Sequence, residues 1–223
     1  LTRYPSYKPS GIVWIGEIPS HWEMIRFASL GTFSKGRGIK KDEIREFGLP
    51  CIRYGEIYTK YHRIVDDLTS FIDEQSASGS ARIKSGDILF AGSGETVEEI
   101  GKAVVYAGRK VAYASGDIII LSLSDKLNPG YASFLANAHF VQHQKSVSAK
   151  GEIIVHIYPK DIREIVIPLP SPSEQTAIAA YLDEKTAQID KLIASKKRMI
   201  ELLREERQAV INEAVNGEGK KGW

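Results

Sequence analysis

Cations in this sequence are grouped with glycine, tyrosine and small polar residues in three short segments. Residues 34–41 hold four positive charges in eight residues, and their glycines let backbone N–H groups come close to a phosphate. Residues 53–63 alternate tyrosines with cations, and arginine can read guanine through paired hydrogen bonds. Residues 142–150 supply glutamine, serine and lysine, which contact phosphates and base edges. Each segment alone is equally typical of a solvated loop, but three in one small domain favour contact with DNA.

The candidate DNA-contacting residues come from these three segments. They are Lys35, Arg37, Lys40, Lys41, Arg53, Tyr54, Lys60, Arg63, Lys145, Ser148 and Lys150. The residue types do not separate contacts to bases from contacts to phosphates.

No segment carries a convincing catalytic or metal-binding pattern. Residues 94–102 are similar to a phosphate-binding loop, but the spacing is two residues too long and Ala103 stands where serine or threonine is needed. His139 and His143 are four residues apart without accompanying carboxylates, so a solvated helix face is favoured over a metal site. The single cysteine, Cys51, excludes an intramolecular disulfide. We therefore expect no catalytic residue, no metal and no cofactor bound by this chain.

The overall composition is that of a folded protein with ordinary charge. The chain has 223 residues, of which 43% are apolar, and 30 basic against 28 acidic side chains give a net charge of +2. Any surface for DNA must therefore be local, because dedicated non-specific binders are usually more basic. No apolar run approaches the roughly 18 residues that span a bilayer. The low cysteine content fits a reducing cytoplasm, where we expect the protein to work without membrane contact.

The character of the sequence changes near residue 170. Before it, short strand-like runs alternate with turns, and all but three of the 19 glycines fall there. A helix is predicted from Pro129, because Tyr131, Leu135 and Ala138 recur at helical spacing. The predicted strand runs are 24–27, 52–54, 87–91, 103–106, 117–123 and 164–169. We interpret residues 1–170 as one strand-rich α+β domain.

One long helix is predicted after residue 170. Ser171, Pro172 and Glu174 have the form of a capping box with proline at the first helical position. No further proline or glycine occurs before Gly217, so the predicted helix covers 172–215, roughly 66 Å at ~1.5 Å per residue. Apolar residues recur along it at heptad spacing. Those expected to form a helix-pairing interface are Leu182, Ile189, Ile193, Ile200, Leu203 and Val210.

A stripe of this length needs a partner helix, because the helix cannot bury the stripe against itself. We predict pairing in an antiparallel coiled coil. The alternative is that the stripe packs back on the first domain, which is too small to cover the whole length. The predicted organisation is a globular domain over 1–170, a spacer and dimerisation helix over 171–216, and a tail over 217–223.

Three stretches of the sequence, at residues 4–22, 83–90 and 165–215, resemble a known family. The most specific motifs in them are Ile165-Val166-Ile167-Pro168-Leu169-Pro170, Glu174-Gln175, Tyr181-Leu182-Asp183 and Asn212-Glu213-Ala214-Val215. On these motifs the chain resembles the specificity (S) subunit of type I restriction–modification enzymes. The resemblance covers nearly the whole chain.

The resemblance implies a fold, a function and partners. In this family a target-recognition domain reads one half of a split double-stranded DNA sequence. A long helix follows, pairs with a second such helix and docks the modification subunits, which carry S-adenosylmethionine and methylate adenine. A restriction subunit that adds ATP-driven cleavage is a further partner in some systems. The resemblance therefore implies a non-catalytic, DNA-associated specificity subunit of the bacterial or archaeal cytoplasm.

The sequence departs from the family pattern in one respect. Typical S subunits contain two recognition domains and two long helices, whereas this sequence has one of each. A natural half-subunit is expected to form a two-fold homodimer and to read an inverted repeat with a spacer. The other interpretation is the N-terminal half of a longer chain. Two further functions stay open: a scaffold that uses the helix without reading DNA and, least favoured, an enzyme in its own right.

Overall fold

The computed structural model describes residues 3–151 and 154–217, so the predicted tail lies outside the described residues except for Gly217. Within these ranges the chain forms 15 strands and six α-helices. The strands are β1 (Tyr7–Pro9), β2 (Glu17–Pro19), β3 (Glu23–Arg26), β4 (Gly31–Lys35), β5 (Leu49–Ile52), β6 (Ile64–Val65), β7 (Ser70–Ile72), β8 (Ala81–Ile83), β9 (Ile88–Ala91), β10 (Ser93–Gly94), β11 (Ala103–Tyr106), β12 (Ala112–Ala114), β13 (Ile118–Leu123), β14 (Val155–His156) and β15 (Val166–Leu169). The helices are α1 (Tyr54–Thr59), α2 (Glu74–Ser78), α3 (Pro129–Leu135), α4 (His139–Ser148), α5 (Pro159–Arg163) and α6 (Pro172–Val215).

The strands form two main sheets and three two-stranded pairs. The larger sheet has the order β4-β13-β9-β11-β6, and the smaller one has the order β7-β5-β12-β8. Each main sheet contains one parallel pair, β11 with β6 and β12 with β5, while the other pairings are antiparallel. The remaining pairs are β1-β2, β10-β14 and β15-β3. This mixed architecture, followed by a long helix, confirms the predicted α+β fold.

The interior strands β9, β11 and most of β13 of the larger sheet are buried on both faces, which explains their continuous apolar runs. In β9, Ile88 and Phe90 belong to one hydrophobic cluster, and Leu89 and Ala91 belong to another. The first cluster includes residues of α3, α4, α5 and the start of α6. The second includes Ile52 and residues of β8 and β12 from the smaller sheet. The smaller sheet is thus held against the larger one by a shared core.

Two local predictions are corrected by the structure. The predicted strand run 52–54 ends at Ile52, and Tyr54 begins α1 instead. The single helix predicted from Pro129 is two helices, α3 and α4. They are separated because the Asn137 side chain pairs with the backbone of Ala103, at 2.9 Å from the Ala103 N–H and 2.7 Å to its carbonyl. Ala138 then takes an extended conformation before α4 begins.

The long helix α6 spans Pro172–Val215, which confirms the predicted range of 172–215. The predicted capping box is present: the Ser171 N–H donates to the Glu174 carboxylate at 2.9 Å, and the Glu174 N–H donates to Ser171 Oγ at 3.4 Å. Gly217 follows with a φ of 75°, the left-handed conformation that ends many helices. The chain consists of two compact units, with the boundary between Ala179 and Ala180. We call the first the recognition unit, after the domain that the resemblance implies.

The Glu174-Gln175 motif fixes the first turns of α6 within the recognition unit. Gln175 is buried; its Oε1 accepts from the Asn128 N–H at 2.8 Å, and its Nε2 donates to the carbonyls of Lys126 and Pro170 at 3.1 and 3.0 Å. Glu174 Oε1 lies 2.8 Å from His21 Nε2 and accepts from Trp22 Nε1 at 3.1 Å.

The charge of Glu174 is stabilised at this position. Desolvation acts to raise the pKa of the Glu174 carboxyl, but hydrogen bonds from Ser171, His21 and Trp22 outweigh it and hold the pKa at about 2. The Glu174-Gln175 motif, one of those that carry the resemblance, therefore anchors the start of α6 within the recognition unit.

Candidate nucleic-acid interface

An open cleft in the recognition unit collects four of the predicted DNA-contacting residues. Its volume is about 640 Å³. The predicted residues that line it are Lys41, Arg53, Tyr54 and Lys60. The other lining residues are Gly38, Ile39, Gly55, Glu56, Thr59, Ser115, Gly116 and Asp117. We call this the α1 cleft.

One wall of the α1 cleft is the loop that follows β4. The Gly36 N–H donates to the Ile118 carbonyl at 2.7 Å, and the Arg37 N–H donates to the Ala114 carbonyl at 3.1 Å. A Cβ at Gly36 would lie 1.8 Å from the Ser115 carbonyl oxygen, so only glycine allows this close crossing. The loop that carries the first group of cations is thereby tied to the end of β12 and the start of β13.

Two consecutive left-handed residues then turn the chain towards the cleft. Gly38 has a φ of 66° and Ile39 a φ of 58°, a rare conformation for a β-branched residue. The Ile39 side chain is buried in a small hydrophobic cluster with Cys51 and Ile72, which holds the conformation in place. Packing of this side chain therefore compensates the backbone strain.

The other wall is the first turn of α1, organised by a buried carboxylate. Glu56 accepts from the Arg53 N–H at 3.0 Å, from Lys60 Nζ at 2.8 Å and from the hydroxyl of Ser70. Desolvation acts to raise the pKa of Glu56, but the hydrogen bonds from Lys60, Ser70 and the Arg53 backbone outweigh it, and the pKa lies below its ordinary value. Glu56 is thus an ionised carboxylate at neutral pH.

The predicted cations differ in how much of their charge is already paired. Lys60 is bonded to Glu56 and also donates to Thr69 Oγ1 at 3.2 Å, so it helps to hold Glu56 in position. Lys35, Arg37 and Lys40 are exposed at the end of β4 and along the following loop. They neighbour the cleft in sequence, although Lys41 is the cation of that loop that lines it.

Three predicted residues stand apart from the cleft-lining set. Ser148 ends α4 and is half-buried, and the exposed Lys150 pairs through its backbone with His156 in an isolated bridge. Arg63 donates to Ser133 Oγ at 2.7 Å and lies 3.8 Å above the Phe134 ring, so these contacts tie it to α3.

The prediction that Lys145 contacts DNA is wrong. Its side chain is 0% exposed, and Nζ donates to the carbonyls of Gly101 and Ala136 at 2.7 and 3.0 Å. Lys145 follows Val141 by four residues and shares its buried helix face, which is why the lysine points into the core. Its role is to bond backbone carbonyls inside the recognition unit.

Sequence reasoning missed the carboxylates of the cleft, Glu56 and Asp117. The signal for Glu56 was available, because Arg53, Glu56 and Lys60 are spaced three and four residues apart, the spacing of ion pairs on a helix. It was hidden because residues 52–54 had the pattern of a strand. No comparable signal existed for Asp117, whose place depends on the turn before β13.

The predicted helix-pairing residues form an exposed apolar stripe on α6. Ile189, Ile193, Ile200, Leu203 and Val210 are between 46% and 58% exposed in the single chain. Leu182 is half-buried. Exposed apolar side chains at heptad spacing are the feature that a partner helix covers.

Within residues 3–151 and 154–217, no cluster of three or more histidine, cysteine or acidic side chains could hold a metal ion. Over the same ranges, no helix is long and apolar enough to cross a membrane.

The family is shown by comparison with known sequences. Residues 19–202 match the family model described as the type I restriction modification DNA specificity domain. The chain therefore belongs to this family, and the resemblance predicted from the motifs is confirmed. The curated relatives that match are specificity subunits of type I restriction enzymes.

Curated relatives match over most of this chain. The specificity subunit of the type I restriction enzyme StySPI from Salmonella potsdam is 27% identical over 209 residues, 91% of this chain and 44% of the relative. That of EcoKI from Escherichia coli is 26% identical over 213 residues, 93% of this chain and 45% of the relative. That of MjaVIII from Methanocaldococcus jannaschii is 24% identical, and the match covers 49% of the relative. The chain thus spans slightly less than half the length of these relatives.

Solved structures share the fold. The HsdS subunit from Thermoanaerobacter tengcongensis matches with a TM-score of 0.62 and 21% identity, over 88% of this chain and 45% of that one. A chain from a structural study of complex assembly and conformational transition of the type I R-M system matches with a TM-score of 0.69 and 20% identity, over 88% and 46%.

Proposed function

We propose that this chain reads one half of a bipartite DNA target and delivers modification subunits to it. The observation that carries the proposal is the α1 cleft, where an arginine, two lysines and a tyrosine meet inside a domain of a DNA specificity family. Lys35, Arg37 and Lys40 on the adjacent loop would contact phosphates. Family membership supports DNA as the ligand, and the local concentration of cations supports the cleft as the contact surface.

The stripe on α6 supports the second part of the proposal. It would pair with another such helix in an antiparallel coiled coil, and the paired helices would dock the modification subunits. If the second helix comes from another copy of this chain, the homodimer would place two equivalent recognition units on an inverted repeat. S-adenosylmethionine would be bound by the modification subunits, and a restriction subunit is a further partner. The assembly would work on DNA in the bacterial or archaeal cytoplasm.

The experiment that tests DNA contact at the cleft is the salt dependence of binding. The chain, in complex with the modification subunit of its own system, is titrated with duplex DNA over a range of salt concentrations. Each phosphate contact contributes about 0.9 to the slope of log K against log salt. We expect Lys41→Ala and Arg37→Ala each to weaken binding about uniformly across sequences and to flatten the slope by about 1.

A matched control is Arg109→Ala, which removes an exposed cation that does not line the cleft. It should leave both affinity and slope unchanged. Equal slopes for all three variants and the parent protein would contradict DNA contact at the cleft. If the affinity of the parent protein for DNA does not depend on salt, the alternative is favoured: a scaffold that assembles through its helix without reading DNA.

A further inference from the structure

We infer that Arg53 is a base-reading residue of the α1 cleft and that it recognises a guanine in the DNA half-site. The inference rests on the proposed function and adds to it the residue that discriminates between bases. Three features of Arg53 support the inference: its backbone is held rigidly, its side chain is supported by a buried carboxylate, and its hydrogen-bonding capacity is unused within the fold.

The backbone of Arg53 is fixed on both sides. It follows β5 directly, and β5 is an interior strand of the smaller sheet, between β7 and β12. The preceding residue, Ile52, is fully buried and its carbonyl accepts from the Ser115 N–H at 3.0 Å. The Arg53 N–H itself donates to Glu56 at 3.0 Å as α1 begins. Base recognition requires such a position, because discrimination depends on side chains held by rigid elements.

The side chain of Arg53 is supported from behind by Glu56. One terminal nitrogen of the guanidinium lies 3.7 Å from Glu56 Oε1, and the Glu56 side chain is only 4% exposed. Glu56 is in turn held by Lys60 and Ser70, so its position does not depend on Arg53 alone. Since Lys60 also balances the charge of Glu56, Arg53 keeps a positive charge available to a ligand.

The guanidinium has hydrogen-bonding capacity that the fold does not use. Among the described residues, the Arg53 side chain donates no hydrogen bond: Nε is buried without a partner and one terminal nitrogen stays 3.7 Å from Glu56, while 29% of the side chain is exposed in the cleft wall and leaves the terminal nitrogens to form the fork. The planar guanidinium presents donors in a fixed fork. On a DNA base edge, the acceptor pair that matches such a fork is O6 and N7 of guanine in the major groove.

The loop cations differ from Arg53 in the exposure and support of their side chains. Lys40 and Lys41 are exposed, and a lysine ammonium is a mobile point charge that suits a phosphate oxygen. Arg37 is exposed on a loop that is fixed through its backbone. The structure therefore divides the candidate residues into a loop set for phosphates and Arg53 for a base.

The first test is the recognised sequence itself. The chain is expressed with the modification subunit of its own system, and the DNA motif is read by sequencing the methylated adenines. The same is done for Arg53→Lys, which keeps the charge and loses the fork. We expect one guanine of the motif to become degenerate, with discrimination at that position falling about tenfold or more.

The matched control is Arg45→Lys. Arg45 has a carboxylate neighbour, Asp73, at 3.6 Å, much as Arg53 has Glu56, but it is more exposed and does not line the cleft. Its replacement should leave the motif unchanged. An unchanged motif in Arg53→Lys, whatever its methylation rate, would overturn the base-reading role and leave the proposed function intact. If the parent protein directs no sequence-specific methylation, the proposed function itself fails.

The second test leaves the protein unaltered. Each guanine of the half-site is replaced in turn by 7-deazaguanine, which lacks the N7 acceptor, and binding of the parent complex is measured. One replacement should weaken binding, and Arg53→Ala should bind normal DNA and that analogue equally. If Arg53→Ala does not fold, Arg53→Lys is used instead. It should show a smaller difference in affinity between normal DNA and the analogue than the parent complex does. If no 7-deazaguanine replacement weakens binding, Arg53 does not contact guanine. The same follows if the losses of binding free energy from the Arg53 substitution and from the base replacement simply add.

Discussion

The buried Lys145 gives the structure a pH-dependent stability that can be measured. Desolvation lowers the pKa of the Lys145 ammonium from its ordinary value of 10.5 to about 7. In the unfolded chain the lysine keeps its proton up to about pH 10.5, while in the folded chain it releases the proton near pH 7. Since the unfolded state binds more protons between these values, the contribution of this group to stability rises with pH across the window.

The magnitude follows from the two pKa values. At roughly 1.4 kcal/mol per pH unit, the full difference amounts to about 5 kcal/mol, of which about 3 kcal/mol develops between pH 6 and pH 9. Lys145→Met removes the titration and leaves the carbonyls of Gly101 and Ala136 without their donor, which costs about 1–3 kcal/mol each at every pH. At pH 6 the parent protein buries a charged ammonium, and this cost of about 5 kcal/mol offsets the hydrogen bonds that the variant lacks, so the two proteins should be close in stability. At pH 9 about 3 kcal/mol of that cost is relieved, so the variant should be clearly less stable than the parent protein.

The assay is urea denaturation at several pH values, followed by tryptophan fluorescence. Trp22 reports on the recognition unit because its Nε1 donates to Glu174. The exposed Lys150→Met is the control for loss of a positive charge, and its stability should run parallel to that of the parent protein. If the free energies of unfolding of Lys145→Met and the parent protein change in parallel from pH 6 to pH 9, the Lys145 ammonium does not lose its proton in the folded protein over this range.

Three further predictions test the fold and the proposed interfaces. Gln175→Leu removes three hydrogen bonds made by a buried side chain and should lower the free energy of unfolding by about 3 kcal/mol, measured by urea denaturation. A loss below about 1 kcal/mol would show that these hydrogen bonds are dispensable. Gly36→Ala places a Cβ 1.8 Å from a backbone oxygen and should destabilise the recognition unit and weaken DNA binding. Gly79→Ala should do neither, because Gly79 lies outside the cleft lining, has a φ of -94° and would place its Cβ no closer than 4.0 Å to another residue; equal effects would mean that the loop adjusts freely. Ile193→Asp should abolish helix pairing, measured by light scattering, and co-purification with the modification subunit. Ala194→Asp, which lies off the stripe, should leave both unchanged. If Ile193→Asp still assembles, the stripe is not the pairing interface.

The long helix was predictable from sequence because its determinants are local. The capping box at Ser171 and Glu174, the absence of glycine and proline up to Gly217, and the heptad spacing each act within a few residues. The buried strands β9, β11 and β13 were predictable for the same reason, since continuous apolar runs mark strands that are covered on both faces.

The separation of α3 from α4 was beyond reach of local patterns. It depends on Asn137 pairing with Ala103, 34 residues earlier in the sequence, and nothing near Asn137 predicts that contact. The apolar spacing on its own continues across the break. Tertiary contact therefore overrode helical periodicity at this point.

The candidate site was predictable in residue type but not in arrangement. The cations of residues 34–41 and 53–63 indicated an anionic ligand, and Lys41 and Arg53 meet in one cleft because left-handed residues at Gly38 and Ile39 turn the loop towards it. Which lysines are exposed depends on helix faces, and Lys145 shows how a cation on a buried face is used by the core.

A methylation map determines whether this chain directs methylation to a DNA sequence. The chain is co-expressed with its modification subunit in a host free of DNA methylation, and the modified adenines are located by sequencing. We expect methylation confined to a split motif. The motif should be palindromic if the second recognition unit is another copy of this chain, and asymmetric if it is a different domain. Absence of methylation, or methylation without sequence preference, in cells where the two proteins co-purify would contradict this expectation.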